Sequence, residues 1–403
     1  MRLTTEEEAM LAGKEGPAAA KAMEILFALG EIYGAEQLVP VVSVQVAGVS
    51  YGNLGQAGLD FLCEWADQGA RVVVPATLNP AGMDLEAWQE MGIPEDYARR
   101  QLEIIGAYQA MGVTINCSCT PYLAGNVPEF GQHVAWSESS AVSYANSVLG
   151  ARTNREGGPS ALAAAITGRT PAYGLHLERN RQAGLVVEVN CRLTSAADYS
   201  ALGYIVGQMA TDKAPYFRFN SGPQPGLDEL KALGAAMAAS GAVALYHVEG
   251  VTPEARSRDV LAGGAAIVAI ESAEEGYRAL DGTSQAVDLV WIGCPHASLA
   301  EIEHAADQLH GRHLEAELWV TTAREVLRAA RTKGLTDRIE ACGGRVVADA
   351  CLIGAPLGEM GIGAVATNSS KAAFYLRNHS HLQVRFGTLA QCIEAALKGK
   401  WPV

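Results

Sequence analysis

Short apolar runs that end in polar, glycine- or proline-containing loops and lead into helix-like segments recur along this chain, and no other feature constrains its fold as strongly. Val39 to Ala47 runs into Gly48-Val49-Ser50-Tyr51-Gly52-Asn53, Arg71 to Pro75 into Thr77-Leu78-Asn79-Pro80, and Val113 to Asn116 into Cys117-Ser-Cys119-Thr-Pro-Tyr122. Helical spacing is predicted over 4–33 with a break at Gly16-Pro17, over 55–68 and over 95–111, and Thr5 is expected to cap Glu6 to Glu8. Strand, polar loop and helix in that order imply parallel βαβ units, and ligands of open α/β sheets bind outside the carboxyl ends of the strands. The loops Gly48–Asn53, Thr77–Pro80 and Cys117–Tyr122 all fall there.

The same rhythm returns late in the chain, with strands expected at 242–248, 286–292, 315–321 and 345–350. Thr367-Asn-Ser-Ser370-Lys371 opens a helix toward Tyr375, and an amphipathic helix over 389–397 closes the chain. Between the halves, 133–169 is polar with short helices, including one over 159–167. The stretch 196–240 is Ala-rich and reads as helix, with a Gly/Pro break at 221–226. This divides the chain into a first α/β domain (1–135), a helical and polar middle segment lining a cleft (136–240) and a second α/β domain (241–403).

At 403 residues, with 49% hydrophobic and 18% charged residues, the composition is that of a large globular enzyme. A net charge of −14 excludes nucleic acid as a main partner, because phosphate backbones need clustered Lys and Arg. No apolar run is long enough to span a bilayer, and Met1-Arg-Leu-Thr-Thr-Glu-Glu-Glu has no signal-peptide core. A cytoplasmic, reducing location is therefore expected, which turns the eight cysteines from disulfides toward packing, metal ligation or catalysis.

Cys63, Cys191, Cys342 and Cys392 read as small hydrophobes, Cys63 and Cys392 on helices. Cys119, Cys294 and Cys351 differ, because each stands where a strand-like run meets a loop. Cys117 competes with Cys119; two apart on an extended chain, they point to opposite faces. The wide spacing does not match the short paired spacings of zinc fingers, and Cys-x-x-Cys is absent. Three thiolates at strand ends suit an iron–sulfur cluster, whereas His296 as a fourth ligand would make a zinc site.

Gln45-Val-Ala-Gly-Val-Ser-Tyr51, Cys119-Thr-Pro-Tyr122, Ala135-Trp-Ser-Glu-Ser-Ser140, Ala151-Arg-Thr-Asn-Arg-Glu-Gly-Gly158, Gly293-Cys-Pro-His-Ala297 and Thr367-Asn-Ser-Ser-Lys371 together resemble the aconitase X family, over essentially the whole chain. The resemblance implies an aconitase-like α/β fold, with several three-layer units and parallel sheets around a central cluster site. It implies an iron–sulfur hydro-lyase whose cluster, [4Fe-4S] with one iron open to substrate, is held by Cys119, Cys294 and Cys351. Substrate contacts carried over are Gly48, Val49, Ser50, Asn79, Pro80, Glu138, Ser139 and Lys371, with catalytic roles for Glu138, Ser139 and Lys371.

The length is similar to that of a separate large subunit, so a small subunit carrying the swivelling aconitase-like domain is the expected partner, and with it the general base. Family activities include dehydration of (R)-5-phosphomevalonate to trans-anhydromevalonate 5-phosphate, the expected reaction here, and of cis-3-hydroxy-L-proline, the alternative. The expected substrate is a small anion with a carboxylate and a phosphate, whereas hydroxyproline brings one carboxylate and a cationic amine.

The residues themselves carry parts of this reading. Glu138 is a candidate to relay a proton to departing water, or else caps the helix entered at Ser139. Ser369, Ser370 and Lys371 open a helix whose free amides would favour an anion. Arg152 and Arg155 either clamp an acidic group or sit in a structural ion pair. Two readings of other classes remain: a zinc- or ligand-binding regulatory protein, and a hydrolase using Cys294 with His296.

Overall fold

The computed structural model describes residues 1–309 and 311–402. Three parallel sheets organise it. The first pairs Val44–Val46 with Ala76–Leu78 on one side and Ala135–Trp136 on the other. The second has four strands, in the spatial order His247–Val248, Ala214–Phe219, Ala183–Val189, Leu261–Ile270. The third has five, in the order Arg345–Ala348, Glu317–Thr322, Leu289–Ala297, Ala364–Thr367, Gln383–Phe386. A short antiparallel pair, Leu38–Pro40 with Arg169–Pro171, ties the start of the first unit to its end. Among the described residues no helix is long and apolar enough to cross a membrane.

The expected α/β architecture with parallel sheets is what the chain adopts, but several elements differ. The run 39–47 breaks into two strands around Val41–Ser43, and the strand expected at 71–75 forms at Ala76–Leu78 instead. Residues 113–116 contribute a single bridge, Thr114 to Thr77. Thr4, not Thr5, caps the first helix: its hydroxyl accepts from the Glu7 amide and the Glu7 carboxylate accepts from the Thr4 amide.

The largest difference lies in the middle of the chain. Residues 136–240 hold two strands of the four-stranded sheet, and the expected boundary at 240 runs through that sheet. Its helices, Ala196–Ala210 and Leu227–Gly241, pack closely because Gly203 and Gly207 let the second approach the first; a Cβ on Gly203 would lie 2.5 Å from the Leu233 carbonyl oxygen.

Two apolar cores flank the first and third sheets. One gathers Met23, Leu26, Trp65, Val44, Val46 and Leu78; the other Val290, Ile292, Leu318, Val320 and Ile339. A third, with Met83, Trp291, Trp319 and Leu352, spans both units. Each such side chain contributes about 1.5–3 kcal/mol by leaving water. Backbone bonds continue the junction: the Ala81 amide donates to the Asp349 carbonyl at 2.8 Å, and the Cys351 amide to the Ala81 carbonyl at 2.8 Å. Arg324, buried, closes it by pairing with Asp84, Glu86 and Asp349.

This topology fixes where a ligand can sit. In the five-stranded sheet the order reverses between Leu289–Ala297 and Ala364–Thr367, and the crevice of a doubly wound sheet opens outside the carboxyl ends at such a reversal. Those ends carry Cys294 and Lys371. The carboxyl ends of the first sheet face the same crevice with Ser50, Asn79 and Glu138.

Candidate functional site

The crevice is a cavity of about 130 Å³ lined by all three singled-out cysteines, Cys119, Cys294 and Cys351. Ser50, Asn79, Pro80, Glu138, Ser139, Arg155 and Lys371 line it too. Residues from six separate strand ends thus meet at one point. Gly293 makes the approach of Cys294 possible: its φ is 94°, and a Cβ there would lie 2.1 Å from the Thr321 carbonyl oxygen.

Cys117 and Cys119 separate as their spacing predicts. Cys117 is packed into the first core, while Cys119 faces the cavity. Burial pushes the Cys119 thiol up to about 12, with Lys371 pulling it back. The Cys294 and Cys351 thiols are likewise raised by burial and opposed by Lys371. All eight cysteines are free. Cys392 and Cys342 are buried as expected, but Cys63 is exposed, because it falls outside the stripe made by Leu59, Leu62 and Trp65.

Three thiols lining one cavity are a donor set that fits an iron–sulfur core. Among the described residues no three His, Cys, Asp or Glu side chains stand close enough together to hold one metal ion. The thiols instead stand around a shared cavity, as ligands to a multi-atom core do. His296 does not complete a zinc site, since both ring nitrogens are engaged: Nδ1 with the Ser118 hydroxyl at 3.1 Å and Nε2 with the Ala350 carbonyl at 2.9 Å. The same engagement removes it as a base for a Cys294 nucleophile.

Opposite the thiols, Lys371 Nζ donates to Glu138 Oε1 and, at 3.1 Å, to the Ser140 hydroxyl. Asn79 Nδ2 donates to Glu138 Oε2 at 2.8 Å. Burial works to raise the Glu138 pKa, but Lys371, the Asn79 amide and the Arg155 charge outweigh it and hold the carboxyl at about 2. Burial alone would lower Lys371, yet Glu138 and the thiols keep it raised. Glu138 therefore stands ionised, and the proton it was expected to relay resides on Lys371. It is also the helix cap, its side chain accepting from the Ser140 amide, which is the structural alternative. The Asn79 Oδ1 atom is buried without a partner and belongs to a cavity-lining residue.

Arg152, the Gly48-Val49 pair and the helix at Lys371 depart from expectation, whereas Arg155 does not. Arg152 does not line the cavity: it pairs with Glu178 and donates to the His176 carbonyl at 3.2 Å, the structural alternative. Arg155 does line it and forms no ion pair among the described residues. Gly48 and Val49 stand behind the wall, their carbonyls accepting from Tyr108 and Gln101. The helix Ser370–Asn378 offers fewer free amides than expected, since the Ser370 amide donates to Ser200 and the Ala372 amide to Ser369. Asn53, Trp291, Ile353 and Tyr375 line the cavity without having been singled out, because neutral side chains carry no catalytic signal in a sequence.

Comparison with known proteins identifies the family. Family models described as the Aconitase X first, second and third domains match residues 1–179, 183–275 and 287–398. A protein named phosphomevalonate dehydratase large subunit from Methanothermobacter thermautotrophicus is 54% identical over 93% of this chain and 93% of its own length. A cis-3-hydroxy-L-proline dehydratase from Pseudomonas aeruginosa is 38% identical over the whole of this chain but only 71% of its own length. Among solved structures, the holo-form of aconitase X from Thermococcus kodakaraensis superposes with a TM-score of 0.92 at 45% identity, over 98% of this chain and all of that one.

Proposed function

The chain belongs to the aconitase X family, and from that premise we propose that it is the cluster-holding large subunit of a hydro-lyase that dehydrates (R)-5-phosphomevalonate to trans-anhydromevalonate 5-phosphate. The observation that carries the reading is the meeting of Cys119, Cys294 and Cys351 in one cavity beside the Lys371–Glu138 pair. When bound, an iron–sulfur cluster with one iron free of protein ligands supplies a Lewis acid for the departing hydroxyl.

Elimination breaks a C–H bond and a C–O bond, releasing water, and this chain's own groups serve its charge and proton demands. Lys371 Nζ, a protonated group of the cavity wall, binds the substrate carboxylate. Glu138, ionised, keeps that ammonium charged and oriented. Asn79 Oδ1 accepts from a substrate hydroxyl. Among the described residues lining the cavity, every carboxylate and imidazole is engaged, so the carbon base is assigned to a small partner subunit bearing the swivelling domain.

Arg155 favours the phosphorylated substrate over hydroxyproline. A second cation, without an ion pair among the described residues, suits a second anionic group, whereas a secondary amine would need a free carboxylate. Co-expression with the small subunit and anaerobic assay of both dehydrations tests the assignment. Turnover of 5-phosphomevalonate is expected, and turnover of cis-3-hydroxyproline alone would overturn it.

A further inference from the structure

His296 touches every cysteine loop at once. It follows Cys294 by two residues, and its backbone amide donates to Cys119 Sγ at 3.1 Å. Its Nε2 meets the carbonyl of Ala350, the residue before Cys351, at 2.9 Å. A carbonyl only accepts, so Nε2 carries the proton. Nδ1, on the other side of the ring, meets the hydroxyl of Ser118, the residue before Cys119, at 3.1 Å. Ser118 is itself fixed by the Thr120 amide at 3.1 Å. The His296 carbonyl accepts from Lys231 Nζ at 3.2 Å, a buried ammonium paired with Asp228 and Glu301.

We infer that His296 is a positioning residue that holds the three ligand loops in register and, through its amide, donates a hydrogen bond to the Cys119 sulfur of the bound cluster. The inference rests on the cluster reading above. Two of these bonds come from the ring and tie the loop of Cys294 to those of Cys119 and Cys351. No other residue among those lining the cavity bonds to both neighbouring ligand loops. Partners that orient metal ligands typically change retention of the metal by about 10–100-fold when removed, without touching the metal themselves.

The test compares wild type, His296→Ala, His296→Gln and Ser118→Ala as full-length chains, reconstituted anaerobically with iron and sulfide. Read out are iron and sulfide content, the electron paramagnetic resonance spectrum of the reduced protein, and the rate of iron loss to a chelator. Expected is loss about 10–100-fold faster in His296→Ala. Ser118→Ala should be roughly fivefold faster, as for one lost hydrogen bond. His296→Gln, whose amide still reaches the Ala350 carbonyl, should fall closer to wild type, and the spectra of both His296 variants should shift.

Equal loss rates for all four proteins overturn the inference. So does equal impairment of His296→Ala and His296→Gln with unshifted spectra, which would mark the ring as filler. Should His296→Ala not fold, Ser118→Ala and His296→Gln decide on the same criteria. Wild type that takes up neither iron nor sulfide overturns the cluster reading itself, and this inference with it.

Discussion

Lys371 and Glu138 form a buried ion pair across the cavity from the three thiols, joining a helix of the last sheet unit to the cap of a helix in the first. Neither charge is stable there alone. Their mutual attraction, with Asn79 and Ser140, is what keeps an ammonium available to an anion at the bottom of an apolar crevice.

Breaking the pair should cost more than removing it. Lys371→Met alone leaves a buried unpaired carboxylate and is expected to destabilise by about 3–5 kcal/mol. Lys371→Met combined with Glu138→Gln should be less destabilised than that single variant. Urea unfolding of the two variants checks this, and both should lose dehydration.

The same pair sets an acid limit. Glu138 in the fold titrates at about 2, below its ordinary 4.5, so its stabilising contribution is present above 4.5 and is lost as pH falls toward 2. Unfolding measured through that window should fall less steeply in Glu138→Gln than in wild type.

Arg155 and Arg152, three apart in sequence, should separate in kinetics. Arg155→Ala is expected to raise KM for the phosphorylated substrate by about 10-fold or more, as for a lost charged hydrogen bond, with kcat little changed. Arg152→Ala should leave both parameters alone and change stability by about 0–1 kcal/mol, because its ion pair with Glu178 is half exposed.

Gly293 should tolerate no side chain. The left-handed backbone and the Thr321 carbonyl beneath it predict that Gly293→Ala loses at least about 1–3 kcal/mol and displaces Cys294. Thermal unfolding together with iron content after reconstitution measures both effects.

Much of the site could be read from the chain because strand ends announce themselves. An apolar run followed by Gly, Pro or Cys places Ser50, Asn79, Cys119 and Cys294 at carboxyl ends, and parallel topology then brings those ends together. The strand Ala214–Phe219 was hidden by its surroundings. The small residues that let helices 196–210 and 227–241 pack face to face blur both periodicities, so the stretch reads as helix throughout.

Arg152 and Arg155 carry the same chemistry in sequence, and only the fold reveals that Glu178 claims one of them. His296 was visible as a donor near Cys294, but its bonds to Ser118 and Ala350 depend on loops distant in sequence. The exposure of Cys63 reflects a helix phase that a few apolar neighbours do not fix.

The central claim is that three remote thiols share one inorganic core. Anaerobic reconstitution of Cys119→Ala, Cys294→Ala, Cys351→Ala and Cys117→Ala, followed by iron and acid-labile sulfide analysis, tests it most directly. The first three are each expected to lose iron, sulfide and visible absorbance together, while Cys117→Ala loads like wild type. Full loading of any of the first three, or loss confined to Cys117→Ala, would contradict it.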